Sequence, residues 1–314
     1  MLERIGSVAL PSRRTDGYDH ADVHQRSGKV YIAHTANDSV EVVDGVRLEH
    51  IATISGCTEA SGVLCAQEEG LVFAASRGEG KVLVIDAGSD KKVSEVRAGK
   101  KPNGLAWDPH RGHLLVADVG DNKARLLDPQ SGRALAELAL EGRPRWSLYE
   151  QSLDLFLLNI RDPPGVALIS PDSFAVKKFV PISVKGPHGL EAVPGAGRGF
   201  VACDGKSLVE VDFANGKELG SVPLSGEPDV LWLNPAKGRI YCAIGEPGVI
   251  DVIDTRRLVP LEKLPTEEGA HTLTFDVKRQ RLYALMPKSQ CAAVFAERSA
   301  QDWPGGSAGP TETG

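Results

Sequence analysis

Three histidines and one aspartate, His20, His188, His271 and Asp229, are the residues of this chain best suited to chemistry. Imidazole nitrogen and carboxylate oxygen together suit Zn²⁺, Mn²⁺ or Fe²⁺, which take such ligands at roughly 2.0–2.2 Å. A metal held that way brings the pKa of a bound water to about 7 and polarises a carbonyl. A neighbouring carboxylate, Asp229 or Glu59, then serves as general base. Arg145, with Arg77, Arg161 and Lys288, offers cationic groups that hold a carboxylate or phosphate, and Asn103 adds an amide. The set points to hydrolysis of an ester or lactone, or to proton abstraction in an elimination. Its members run from position 20 to position 288, so the chemistry exists only if the fold gathers them.

The elements that must do so repeat along the chain. Asp44, Asp86, Asp128, Ser170, Asp212, Asp254 and Ala296 follow one another at intervals of 42 residues, each preceded by an apolar residue from Val43 to Phe295. Self-similarity at such a period marks a repeat architecture. In 103–140 the unit reads as four short strands: Gly104–Trp107, His113–Ala117, Ala124–Asp128 and Ala134–Leu140. The recurring Asp closes the last hairpin by accepting backbone N–H groups just ahead of it. Gly132 and Gly216 supply the positive φ such turns need. Four antiparallel strands in about 42 residues make one propeller blade, and the sequence predicts an all-β, seven-bladed β-propeller. The last copy, 271–296, has only three strands. Residues 4–11 form an alternating strand that completes it, pinning both chain ends and leaving no free edge. The domain is read as 1–297, and the polar, Gly- and Pro-rich 298–314 as a disordered tail.

The repeat also assigns the chemistry-bearing residues a common place. The innermost strands begin YDHADV, EASGVL, KPNGLA, RPRWSL, GPHGLE, EPDVLW and GAHTLT, and the third residue of each is His20, Ser61, Asn103, Arg145, His188, Asp229 and His271. These positions recur every 41 to 43 residues, so radial symmetry predicts one polar ring at the mouth of the axial channel. Around the closure His188, Asp229, His271 and His20 fall on four consecutive blades. Glu59 and Asp19 lie just outside the ring, placed to orient an imidazole through its second nitrogen. Trp146 and Trp232 are expected to pack between blades.

The segments VYIAHTANDSVEVVD (30–44), LLVADVGDNKARLLD (114–128) and IYCAIGEPGVIDVID (240–254) resemble repeats of the YVTN-type β-propeller family, whose pattern is an aromatic–aliphatic strand, a short polar loop with Asn, and a strand ending Val-Ile-Asp. The resemblance spans nearly the whole chain. It implies the propeller fold, and relatives that include surface-layer, periplasmic and binding proteins. Metal-dependent lactonases and streptogramin lyases are similar in overall shape, but no stretch here matches their motifs.

Composition narrows the partners. Of 314 residues, 41% are hydrophobic and 25% charged, with net charge −6, which argues against general affinity for nucleic acid or membranes. No apolar run approaches the roughly 20 residues of a membrane span. Five cysteines without CxxC spacing, and no apolar leader in MLERIGSVALPSRR, point to a reducing, cytoplasmic setting. There is no GxSxG, GxxxxGK[ST], GxGxxG or HExxH, so no nucleotide cofactor is expected. Two readings of function stand. One is a metal-dependent hydrolase, lactonase-like, or lyase acting on a small molecule at the channel mouth. The other is a non-catalytic scaffold that binds a small ligand, a peptide or a protein partner.

Overall fold

A computed structural model describes residues 1–12 and 17–297; the expected tail at 298–314 lies outside them. The described residues form seven four-stranded antiparallel sheets, made by 18–55, 60–97, 102–139, 144–181, 187–223, 228–265 and, for the seventh, 273–297 together with 2–9. The chain is thus an all-β, seven-bladed propeller. A 3₁₀ turn at Thr35–Asn37 is the one helical element among the described residues. In the first six blades strands follow chain order from the axis outward, and in the seventh the N-terminal strand 2–9 lies outermost, beyond 291–297. The innermost strands touch those of both neighbouring blades and close the ring.

The recurring Asp does the local work assigned to it. Asp44 Oδ1 accepts Val46 N–H at 2.8 Å, Asp86 Oδ1 accepts Ser89 N–H at 2.7 Å, Asp128 Oδ1 accepts Gln130 N–H at 2.9 Å, and Asp254 Oδ1 accepts Arg256 N–H at 2.9 Å. Each carboxylate satisfies turn donors that no strand ladder reaches. Gly132 and Gly216 adopt φ of 71° and 73°. Strands extend one or two residues beyond the sequence reading, as in Pro102–Asp108 and Lys123–Asp128.

Closure follows the expected route with a shifted start. Leu2–Ala9 pairs antiparallel with Cys291–Glu297, from Leu2 opposite Glu297 to Ala9 opposite Cys291. Val8 then buries against Tyr18, Val23 and Tyr283, so the strand that supplies the missing rim also ties the first blade to the seventh. The core is distributed between the blades. The apolar residues preceding the turn Asp in five blades and Ser170 in a sixth are fully buried in these layers, with Val43, Ile85, Leu127, Ile169, Val211 and Ile253 all at 0% exposure. All five cysteines are buried free thiols.

Candidate functional site

The seven innermost strands all run in the same sense, so their starts share one mouth of the channel and their ends the other. At the first mouth a cleft of about 1100 Å³ is lined by Arg145, Arg161, His188, Asp204, Lys206, Glu227, Asp229, Glu246, Glu268 and His271, with several loop residues. Ring glycines help bring the blades this close. A Cβ on Gly189 would sit 2.7 Å from Asp229 O and 2.3 Å from Leu231 Cδ2. Only glycine lets His188 and Asp229 be carried on backbones at that separation.

His188 is the hub. Its Nε2 lies 2.7 Å from Asp229 Oδ1 and its Nδ1 lies 3.0 Å from Asp204 Oδ1. The Nη2 of Arg145 stands 3.2 Å from the same Nδ1. Nδ1 cannot both donate to Asp204 and accept from Arg145. The charge-assisted bond to Asp204 is the stronger. Burial opposes a charge on this ring, yet the Asp229 carboxylate and the bonds to Asp204 and Asp229 outweigh it and hold its pKa above the ordinary histidine value. Burial by itself would raise the Asp229 carboxyl, but His188 above all, then His271 and His20, drives it far below the usual carboxylate range. The pair is therefore imidazolium and carboxylate. His271 faces the other oxygen, with Nε2 3.9 Å from Asp229 Oδ2, and its Nδ1 donates to Gly269 O at 2.7 Å.

His20 is turned to a different task. Its ring stacks on Trp146 with centroids 3.9 Å apart, and Nε2 is 3.5 Å from Asp19 Oδ1. Burial lowers its pKa, ahead of the opposing pull of Asp19. Asp19 also pairs with Arg77 Nη2 at 2.6 Å, so Arg77 is held within its own blade pair and does not line the cleft.

Of the residues singled out in the sequence, the cleft gathers Arg145, Arg161, His188, Asp229 and His271. Arg161 Nη2 lies 2.8 Å from Asp204 Oδ2. Lys288 Nζ reaches Glu268 Oε2 at 2.6 Å and stands outside the cleft lining. Asn103 is buried in the ring, its Oδ1 without a hydrogen-bond partner. Glu59 is exposed on the second blade, where its N–H donates to Asp38 Oδ1, and it too stands outside the cleft lining. Asp204, which joins the site through His188, lies on a loop sixteen residues further along the chain, and no motif in the sequence pairs the two. Trp146 and Trp232 each pack against an inter-blade cluster and also line the channel, so the expectation for them was incomplete.

The donor set does not fit the expected metal. A ligating imidazole needs a free lone pair, and both His188 nitrogens are committed to carboxylates. His20 is stacked away on Trp146. Among the described residues no three His, Cys, Asp or Glu side chains are grouped to hold an ion. The cleft mixes charges, with Asp204, Glu227, Asp229, Glu246 and Glu268 lining it beside Arg145, Arg161, Lys206 and His188, and among its cations Arg145 stands apart. No carboxylate lies within ion-pair distance of the half-buried Arg145 guanidinium among the described residues, and its Nε has no partner. Burial lowers its pKa, opposed by Asp229 and reinforced by Arg143 and Arg161.

The fold and cleft define the class as a seven-bladed β-propeller with a charged pocket at one channel mouth. A chain of the Kuenenia stuttgartiensis hydrazine synthase superposes with a TM-score of 0.81, covering 93% of this chain and 98% of that one at 15% identity. At that identity the likeness shows the fold alone. No family model and no curated protein matches the sequence. Some 1761 solved chains share the shape, so function has to be argued from the site.

Proposed function

We propose that the protein is a binding propeller of the YVTN type that captures a small anionic molecule, bearing a carboxylate or phosphate, in the cleft at the channel mouth. The observation that carries this reading is Arg145: a half-buried guanidinium facing the cleft with no carboxylate of its own. A guanidinium so placed is completed by a planar anion, which it holds through two parallel N–H bonds. The His188 imidazolium and the exposed Lys206 add charge of the same sign around it. Asp204 and Asp229 fix His188 and keep it protonated, so the recognising surface is set before the ligand arrives. The metal-dependent hydrolase or lyase reading needs several imidazoles free to ligate; His188 is held at both nitrogens by Asp204 and Asp229 and His20 stacks on Trp146, which leaves His271 alone with a free nitrogen in the cleft. Five free thiols support a reducing, cytoplasmic location, and no helix among the described residues is long and apolar enough to cross a membrane.

Calorimetric titration with inorganic phosphate and with citrate separates the two anion classes. Saturable binding of either, lost in Arg145→Gln and weakened by salt, supports the reading. Absence of binding by both, or equal binding by Arg145→Gln, overturns it.

A further inference from the structure

The opposite mouth of the channel is aromatic and carries no basic residue in its lining. A cavity of about 340 Å³ opens there, within the size range of small-ligand pockets. It is walled by Trp107, Trp146, Trp232 and neighbouring leucines, and every charged residue lining it is acidic: Asp22, Glu68, Glu69 and Glu191. Glu68 and Glu69 are exposed at the rim. Asp22 is buried and already satisfied, accepting Val23 N–H and Cys65 N–H, each at 2.7 Å. Glu191 differs. It sits three residues along its innermost strand from His188, about 10 Å toward the far mouth at strand rise. Among the described residues its carboxyl has no hydrogen-bond or ion-pair partner. Burial first, then Asp22, pushes its pKa well above the carboxylate range, the behaviour of a carboxyl that lacks a counter-charge.

The two mouths are separate. Between them the channel narrows to a space of about 10 Å³ bounded by His20, Trp146, Leu231 and Trp232, room for about one water. A molecule at one mouth therefore does not reach the other.

We propose that this far mouth is a second binding site, for an organic cation: a protonated or quaternary amine whose charge sits against Glu191 and the indoles of Trp107, Trp146 and Trp232. Indole is the best aromatic partner for a cation, and the attraction grows when both are withdrawn from water. A carboxyl without a partner beside three indoles in an apolar cavity supplies both halves of such recognition. A neutral molecule of the same shape gains the apolar contact only.

Choline and its uncharged carbon analogue 3,3-dimethylbutanol serve as matched probes, titrated by calorimetry into the full chain and followed in parallel by tryptophan fluorescence. Choline is expected to saturate and to bind about tenfold or more tightly than the analogue. Glu191→Gln should bring the two to similar affinity. The comparison on the unaltered protein stands even if that variant fails to fold. Equal binding of both probes, no saturation by choline, or full choline affinity in folded Glu191→Gln would each overturn the proposal. Phosphate binding at the other mouth should be unchanged in Glu191→Gln, so the two sites are judged independently.

Discussion

His188 Nε2 and Asp229 Oδ1 are 2.7 Å apart, and Asp204 takes the other nitrogen of the same ring at 3.0 Å. An imidazole held between two carboxylates is an imidazolium, and this decides both what the mouth can bind and how it responds to pH. The folded pKa of His188 is raised. Its contribution to stability is therefore fully present below the unfolded value of about 6.5. It is lost as pH rises through the raised folded value. The Asp229 contribution has the opposite sign. It is present above the unfolded carboxylate value and disappears only in strong acid, because its folded pKa is depressed. We expect His188→Gln to cost about 1–3 kcal/mol near neutrality, and measurably less at about pH 9. Denaturant titrations at the two pH values check this. An equal loss at both would mean that His188 is neutral in the fold.

Divalent metal should leave the protein unmoved. An ion bound at a hundred times its dissociation constant stabilises a fold by about 2.7 kcal/mol. After dialysis against chelator, adding Zn²⁺, Mn²⁺ or Fe²⁺ is expected to give no rise in Tm. A rise that vanishes in His271→Ala and His188→Gln would restore the metal centre read from the sequence.

Phosphate or citrate, by contrast, should raise Tm through Arg145. The gain is expected to vanish in Arg145→Gln and to shrink in Arg145→Lys, since an ammonium cannot reproduce the paired N–H geometry. A full gain in Arg145→Gln would move the anion site elsewhere.

The ring closure is a single point of failure. Val8 is 3% exposed and packs between the first and seventh blades. Val8→Asp loses roughly 1.5–3 kcal/mol of apolar burial and adds an unpaired charge. We expect a large fall in the denaturation midpoint, similar to that of Ile253→Asp within a blade. A mild effect would show that the N-terminal strand is dispensable for closure.

How much of this could be seen beforehand depends on what each residue needs around it. The turn aspartates were legible because an Asp accepting N–H groups two or three residues ahead is a local act, repeated every blade. Spacing also carried Arg145, His188, Asp229 and His271 to one mouth, because symmetry converts spacing into position. Their pairing was not legible. Asp204 sits on a loop sixteen residues from His188, and Trp146 follows Arg145 directly in the chain, yet it is Trp146 that claims His20.

The sequence by itself determined the period, the seven blades and the closing strand, since all of these follow from short-range hydrogen bonding and the alternation of apolar residues. Only the tertiary structure decided which side chain takes which partner around the channel. Those choices turn on differences of an ångström between groups on separate blades, where a carboxylate can satisfy an imidazole, an indole can stack on it, or a guanidinium and a glutamate can be left facing space.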